Sequence, residues 1–291
     1  METALAVTRF VHFAAAMTLF GATVFVSALA TPELARALAP AVRRIAAVAI
    51  PLAALSALAW LALEAASMAG SWGGIVDPDA LQGVLFDTAF GTIWQGRIVL
   101  ALALVAALAF GWRGPSRTLA VASALLLASL GLVGHAAMQT GAIGALHRAN
   151  HALHLLAAGA WFGGLPIFAL CLRAYRTPAL RADAVTAMRN FSFSGQFDVA
   201  LVVLTGLVNI ALTSGFGSIA PTTPYRALLA GKLALVATMI AIALVNRYRL
   251  APRLKPGAPA FGLLIRTSLA EVALGVAVIA LVSVFGLLDP F

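Results

Sequence analysis

His151-Ala152-Leu153-His154-Leu155-Leu156-Ala157-Ala158-Gly159-Ala160-Trp161-Phe162-Gly163-Gly164 leads two histidines into an apolar run that carries no charge. A run of this kind reads as a bilayer-spanning helix, because only a helix or a closed barrel satisfies every backbone polar group inside lipid. Just upstream stand Gly134-His135-Ala136-Ala137-Met138 and His147, where one hydrophobic segment ends and the next begins. Spacings of four and three place His147, His151 and His154 on one helical face, provided that the helix starts that early.

The same character extends over the whole chain. Hydrophobic residues make up 62% of it and charged residues 10%, which is far from a soluble domain and identifies an integral membrane protein. The formal charge of +9 therefore has to be read by position before it is read as a partner preference. Cys171 is the single cysteine, so neither a disulfide framework nor a thiolate cluster is available. Residues 1–9 lack the basic n-region of a cleavable leader, and the first helix is expected to stay.

Apolar segments near 8–30, 44–68, 92–112, 117–138, 149–171, 192–213, 226–247 and 266–287 each hold about 20 residues, the length of one crossing. The pattern predicts an all-α integral membrane protein with eight transmembrane helices. Fourteen of the 19 basic residues lie in or beside alternate links: Arg36, Arg43, Arg44, Arg113, Arg117, Arg173, Arg176, Arg181, Arg189, Arg247, Arg249, Arg253, Lys255 and Arg266. By the positive-inside rule these links face the cytoplasm and both termini are periplasmic. The net charge is then a topology signal, with membrane lipid as neighbour and no nucleic acid implied. All five histidines fall toward the outer side.

The chain also resembles itself. Arg9-Phe10-Val11-His12-Phe13 through Phe20-Gly21 is similar to His151-Ala152-Leu153-His154-Leu155 through Phe162-Gly163, which matches His12 with His154. Gln95-Gly96-Arg97 likewise matches Ala230-Gly231-Lys232. Two parallel four-helix repeats are expected, a first half at 1–140 and a second at 141–291, with His12 and His154 at equal depth. Asp77-Pro78-Asp79 predicts an N-cap and a short helix on the outer interface, whereas Ser214 to Pro224 reads as loop.

Imidazole and thioether donors suit a late transition metal, and sulfur favours cuprous copper. The candidate ligands are His135, Met138, His151, His154 and His12, with Met17 a second stop about 7.5 Å deeper on the first helix. No carboxylate lies among the clustered histidines, which argues against calcium or magnesium. The simpler reading makes these histidines interfacial groups bonded to water or lipid, and His147, placed in the loop before the helix, is the expected bystander. In the membrane, Glu64 is expected to pair with Arg97, and Glu271 with Asn246, Arg247 or Arg249.

These residues resemble the CopD family of copper resistance and copper uptake membrane proteins. The likeness rests on His151-x-x-His154-Leu155-Leu156 leading to Trp161-Phe162-Gly163-Gly164-Leu165, and on Gly134-His135. It continues through Thr205-Gly206-Leu207-Val208-Asn209, Tyr225 with Lys232, Asn246-Arg247, and Arg266 with Glu271. The resemblance implies a multi-pass protein of the bacterial inner membrane, not an enzyme, that moves copper as Cu(I) or Cu(II) inward. It also implies a separate periplasmic copper-binding partner of the CopC type. A haem-binding or copper-reducing redox protein is the alternative, with His12 and His154 or His135 as axial ligands. A third possibility is a structural subunit without a ligand.

Overall fold

The helix signals in the sequence act where they stand. In a computed structural model that describes residues 1–111, 117–214, 223–255 and 258–289, threonine or aspartate caps are followed closely by helix. Thr31 accepts from the Leu34 amide and is followed by Pro32 at the first helical position. Asp77, Thr88 and Thr223 play the same part before residues 78, 89 and 224. Each side chain takes up an amide that the first turn cannot bond internally.

The helices are α1 (Glu2–Val24), α2 (Pro32–Met68), α3 (Pro78–Asp87), α4 (Ala89–Ala109), α5 (Arg117–Ala128), α6 (Gly141–Ala174), α7 (Arg181–Ser214), α8 (Pro224–Val245) and α9 (Pro259–Phe285). Among the described residues seven helices are long and apolar enough to cross a membrane. The eighth expected span is shorter. The helix of α5 gives way at Ser129–Leu132 to a 3-10 turn, and Gly134 adopts φ 74°. At 1.5 and 2.0 Å per residue, that segment rises only about 26 Å, less than a hydrocarbon core of roughly 30 Å. Gly131 marks the cause, since a Cβ there would lie 2.5 Å from the Ala152 amide of α6. The chain gives up helix geometry at that point to pass close to α6.

Two helices hold the bundle together. α1 packs on α2, α5, α6 and α9, and α6 packs on α1, α5, α7 and α9. They cross at Gly21 and Gly163, where a Cβ on Gly163 would overlap the Met17 carbonyl and one on Gly21 would meet the Gly159 carbonyl at 2.5 Å. With no hydrophobic drive between helices in lipid, such close backbone approach supplies the packing energy. Met17 therefore sits at the crossing, buried in an apolar cluster with Phe13, Phe20 and Trp60. That is an environment in which a methionine fills space in the bundle. Gly164 and Gly275 continue the pattern, receiving the rings of Phe191 and Phe162.

The short helix α3 forms as expected, with Asp77 accepting from the Asp79 amide at 3.1 Å. It lies on α2 and α4. The expected loop between Ser214 and Pro224 falls at 215–222, outside the described residues.

Candidate functional site

Each central helix turns a histidine toward its outer neighbour. On α1, His12 is fully buried, and its Nδ1 lies 2.9 Å from Ser56 Oγ of α2. Ser56 Oγ donates to the Leu52 carbonyl at 2.5 Å, so the imidazole must donate the Nδ1–H to the hydroxyl. Nε2 then carries a lone pair, and an Arg97 Nη2 of α4 donates to it. A guanidinium has no acceptor, so the direction of that bond is fixed.

Arg97 is 1% exposed and has no carboxylate partner among the described residues. Its other nitrogen, Nη1, donates to the Leu126 carbonyl at 2.7 Å and to Ser129 Oγ, and its charge sits 4.9 Å from the centroid of Trp94. The expected Glu64–Arg97 pair does not form. Glu64 instead accepts from Trp60 Nε1 at 3.0 Å. Trp60 and Trp94 flank the His12 ring at 5.8 and 6.0 Å, and Arg97 Nε is buried without a hydrogen-bond partner among the described residues.

On α6, His154 repeats the first step of this arrangement. Its Nδ1 lies 2.9 Å from Thr205 Oγ1 of α7, and Thr205 Oγ1 donates to the Leu201 carbonyl. The same donor logic puts the proton on Nδ1 and the lone pair on Nε2. Here no hydrogen bond from the described residues reaches Nε2. A cation is nearby, as the charge of Lys232 on α8 acts on both His154 and His151, and its Nζ lies 5.8 Å from the ring of Phe285.

His151 lies one turn away, and its ring is parallel to that of His154 within 9° at a centroid distance of 6.3 Å. The helix starts at Gly141, early enough for the two to share a face. A chain of amides sets its proton. Asn150 Nδ2 donates to the Thr205 carbonyl at 2.9 Å and to Asn209 Oδ1 at 2.9 Å, which leaves Asn209 Nδ2 to donate to His151 Nδ1 at 3.2 Å. His151 thus holds its proton on Nε2, the opposite tautomer from His154. Asn150 was missed in the sequence. An asparagine one residue before a histidine gives no spacing signal until α7 brings a carbonyl and an amide against it.

His135 lies in the turn after α5, with its ring edge-on to Tyr225 at 5.9 Å. Its Nε2 is buried and has no hydrogen-bond partner. Burial, helped by the charge of Arg9, lowers its pKa from the usual 6.5, while Asp289 and the Phe285 backbone pull the other way. His135 and His147 both lie within electrostatic range of His151. His147 is not in a loop. It is 1% exposed in the second turn of α6, with Nδ1 2.6 Å from Gln139 Oε1. Met138 is 51% exposed.

Among the described residues, no three His, Cys, Asp or Glu side chains converge closely enough to hold a metal ion as they stand. The structure gathers His135, His151 and His154 around one end of α6, while His12 belongs to a separate polar cluster on α1, α2 and α4.

Residues 1–145 match the family model of the copper resistance protein D-like N-terminal domain, and residues 185–285 match that of copper resistance protein D. The chain is 35% identical over 287 residues to the inner membrane protein YebZ of Escherichia coli (strain K12), covering 97% of both chains. It is 36% identical over 172 residues to copper resistance protein D of Pseudomonas syringae pv. tomato, covering 57% of this chain and 55% of that one. The copper transport protein CutJ of Bacillus subtilis (strain 168) is 30% identical over 234 residues, covering 76% and 40%. No solved structure matches. The chain is a multi-pass membrane protein and belongs to the CopD family of copper resistance and copper transport proteins.

Proposed function

We propose that this protein is an inner-membrane copper permease that takes copper at the His135, His151 and His154 end of α6 and passes it inward. The observation that carries this reading is the Nε2 of His154, which no hydrogen bond from the described residues reaches, beside His151 and together with the buried, unpartnered Nε2 of His135. Imidazole lone pairs that no described residue engages are the donors a late transition metal recruits, and His151, whose Nδ1 accepts from Asn209, joins them by releasing that amide. Met138, half exposed in the turn before α6, adds a thioether that suits Cu(I) on arrival.

His12 takes a different part. On the two-repeat reading, His12–Ser56–Arg97 and His154–Thr205–Lys232 are counterparts, and α1 and α6 flank the pseudo-axis. In the first half the guanidinium occupies the position where a metal would bind, so that half is the closed member of the pair. The arginine-rich links then face the cytoplasm, both termini face the periplasm, and a separate CopC-type protein delivers the ion.

Copper uptake by cells expressing the chain tests this. Replacing His151 and His154 together with alanine should abolish copper accumulation at unchanged protein level, whereas His12→Ala should retain it. Uptake by the double variant at the wild-type rate would refute the reading.

A further inference from the structure

The opposite end of the second half contains a cavity that the copper reading does not use. It occupies about 970 Å³ between α6, α7, α8 and α9. An ion needs only a small fraction of that volume, whereas organic ligands occupy roughly 300–1,000 Å³. Trp161, Phe168, Met188 and Phe191 provide apolar walls.

Its polar groups are distributed unequally. At the buried end stand Glu271, 3% exposed, and Asn246, 9% exposed. Asn246 Nδ2 donates to Glu271 Oε2 at 2.7 Å, and Thr267 Oγ1 donates to Asn246 Oδ1 at 2.6 Å. No cation lies within ion-pair distance of Glu271 among the described residues, and the carboxylate lines the cavity. Asn246 opens a π-helical turn, Asn246–Leu250, and such turns recur where a helix aims a side chain at a ligand. Arg247, also on the lining, donates through Nη1 to the Ser192 carbonyl and hydroxyl at 2.5 and 2.6 Å, tying the end of α8 to α7. Between these points the cavity is bounded by α7 on one side and α8 on the other, with exposed Phe193 and Tyr248 at its rim.

This polarity selects the occupant. A phospholipid acyl chain would bring alkyl carbon against the unpaired carboxylate, which is costly. Soft copper has little use for a carboxylate and an amide as its only donors. We propose that the cavity binds a membrane quinol or quinone, its ring seated between Glu271 and Asn246 and its isoprenoid tail leaving between α7 and α8. A ring hydroxyl donates to the free oxygen of Glu271, and the second N–H of Asn246 Nδ2 donates to a ring oxygen. The aromatic walls pack on the ring faces.

A short-chain ubiquinol, whose ring hydroxyl can donate to Glu271, added under reducing conditions to the purified full-length protein should quench tryptophan fluorescence saturably, since Trp161 lines the cavity. Glu271→Leu should weaken this binding at least 10-fold. Gly195→Phe should do the same by filling the cavity, and it is the cleaner variant because a Cβ at Gly195 meets nothing within 4 Å. Its thermal midpoint should stay at the wild-type value. Copper binding at α6 should remain in both variants. Absence of saturable quenching, equal binding by Gly195→Phe, or full displacement of the quinol by phosphatidylglycerol would overturn the proposal.

Discussion

Thr205→Val removes one hydroxyl and keeps the shape of the side chain. Thr205 is 5% exposed, and its Oγ1 is the acceptor for His154 Nδ1–H at 2.9 Å. Without it, the imidazole either keeps its proton on Nδ1, leaving a buried donor unsatisfied at about 1–3 kcal/mol, or moves the proton to Nε2. In the second case the lone pair needed for copper is lost from Nε2, and binding must first restore the less stable tautomer. The first route lowers stability alone, because the donor is unsatisfied with or without metal, whereas the second weakens metal binding, close to the 10–100-fold that loss of an outer partner of a ligating histidine typically costs. The expected result is a copper affinity reduced by about 10–100-fold, or roughly 1.4–2.8 kcal/mol. A competitive chelator titration of purified protein measures it. Ser56→Ala, which removes the matching acceptor from His12, should leave the affinity within about twofold, because RT ln 2 is only about 0.4 kcal/mol. Wild-type affinity in Thr205→Val, or equal losses in the two variants, would refute the assignment of His154 Nε2 as the copper-binding nitrogen.

Arg97→Ala should release His12 Nε2 and open space beside it, so that folded protein takes up an additional copper equivalent by metal analysis, which His12→Ala in the same background removes. His135 should titrate below 6.5 by NMR of labelled imidazole, and Arg9→Gln should raise that midpoint, because it removes a positive neighbour that disfavours the imidazolium. Since the folded protein binds that proton less readily than an unperturbed imidazole, His135 stays neutral and available as a ligand at neutral pH. Gly163→Leu should lower the thermal midpoint by the equivalent of about 1–3 kcal/mol, because its side chain would run into the Met17 backbone of α1. A midpoint unchanged within a degree would place the α1–α6 crossing elsewhere.

Much of this architecture was legible because lipid imposes simple constraints. The uncharged run after His154 had to be helix, Asp77-Pro78 had to start one, and Gly163-Gly164 marked a close crossing, whereas the start of α2 at Thr31-Pro32 fell in a stretch expected as a link before a span at 44–68. The truncated fifth helix was not legible, since Ser129, Gly131 and Gly134 lie within an apolar run whose average hydropathy hides them. What ends the helix is contact with Ala152, more than twenty residues away. For the site, the His151 and His154 pair followed from spacing. The fate of His12 did not, because a histidine and an arginine 85 positions apart carry no shared period. Equal depth with His154 was a reasonable expectation from the repeat, but the donor that occupies Nε2 depends on which helix packs alongside. The same limit explains Glu64, whose depth suited Arg97 while Trp60, one turn away on its own helix, took its oxygen.

The most direct test is the copper content and visible spectrum of purified protein, wild type beside the His151→Ala, His154→Ala double variant and His12→Ala. Copper bound without a Soret band in the wild type and in His12→Ala, and lost from the double variant, is the expected result. Copper retained by the double variant, or a Soret band that disappears with either substitution, would contradict a copper site on α6.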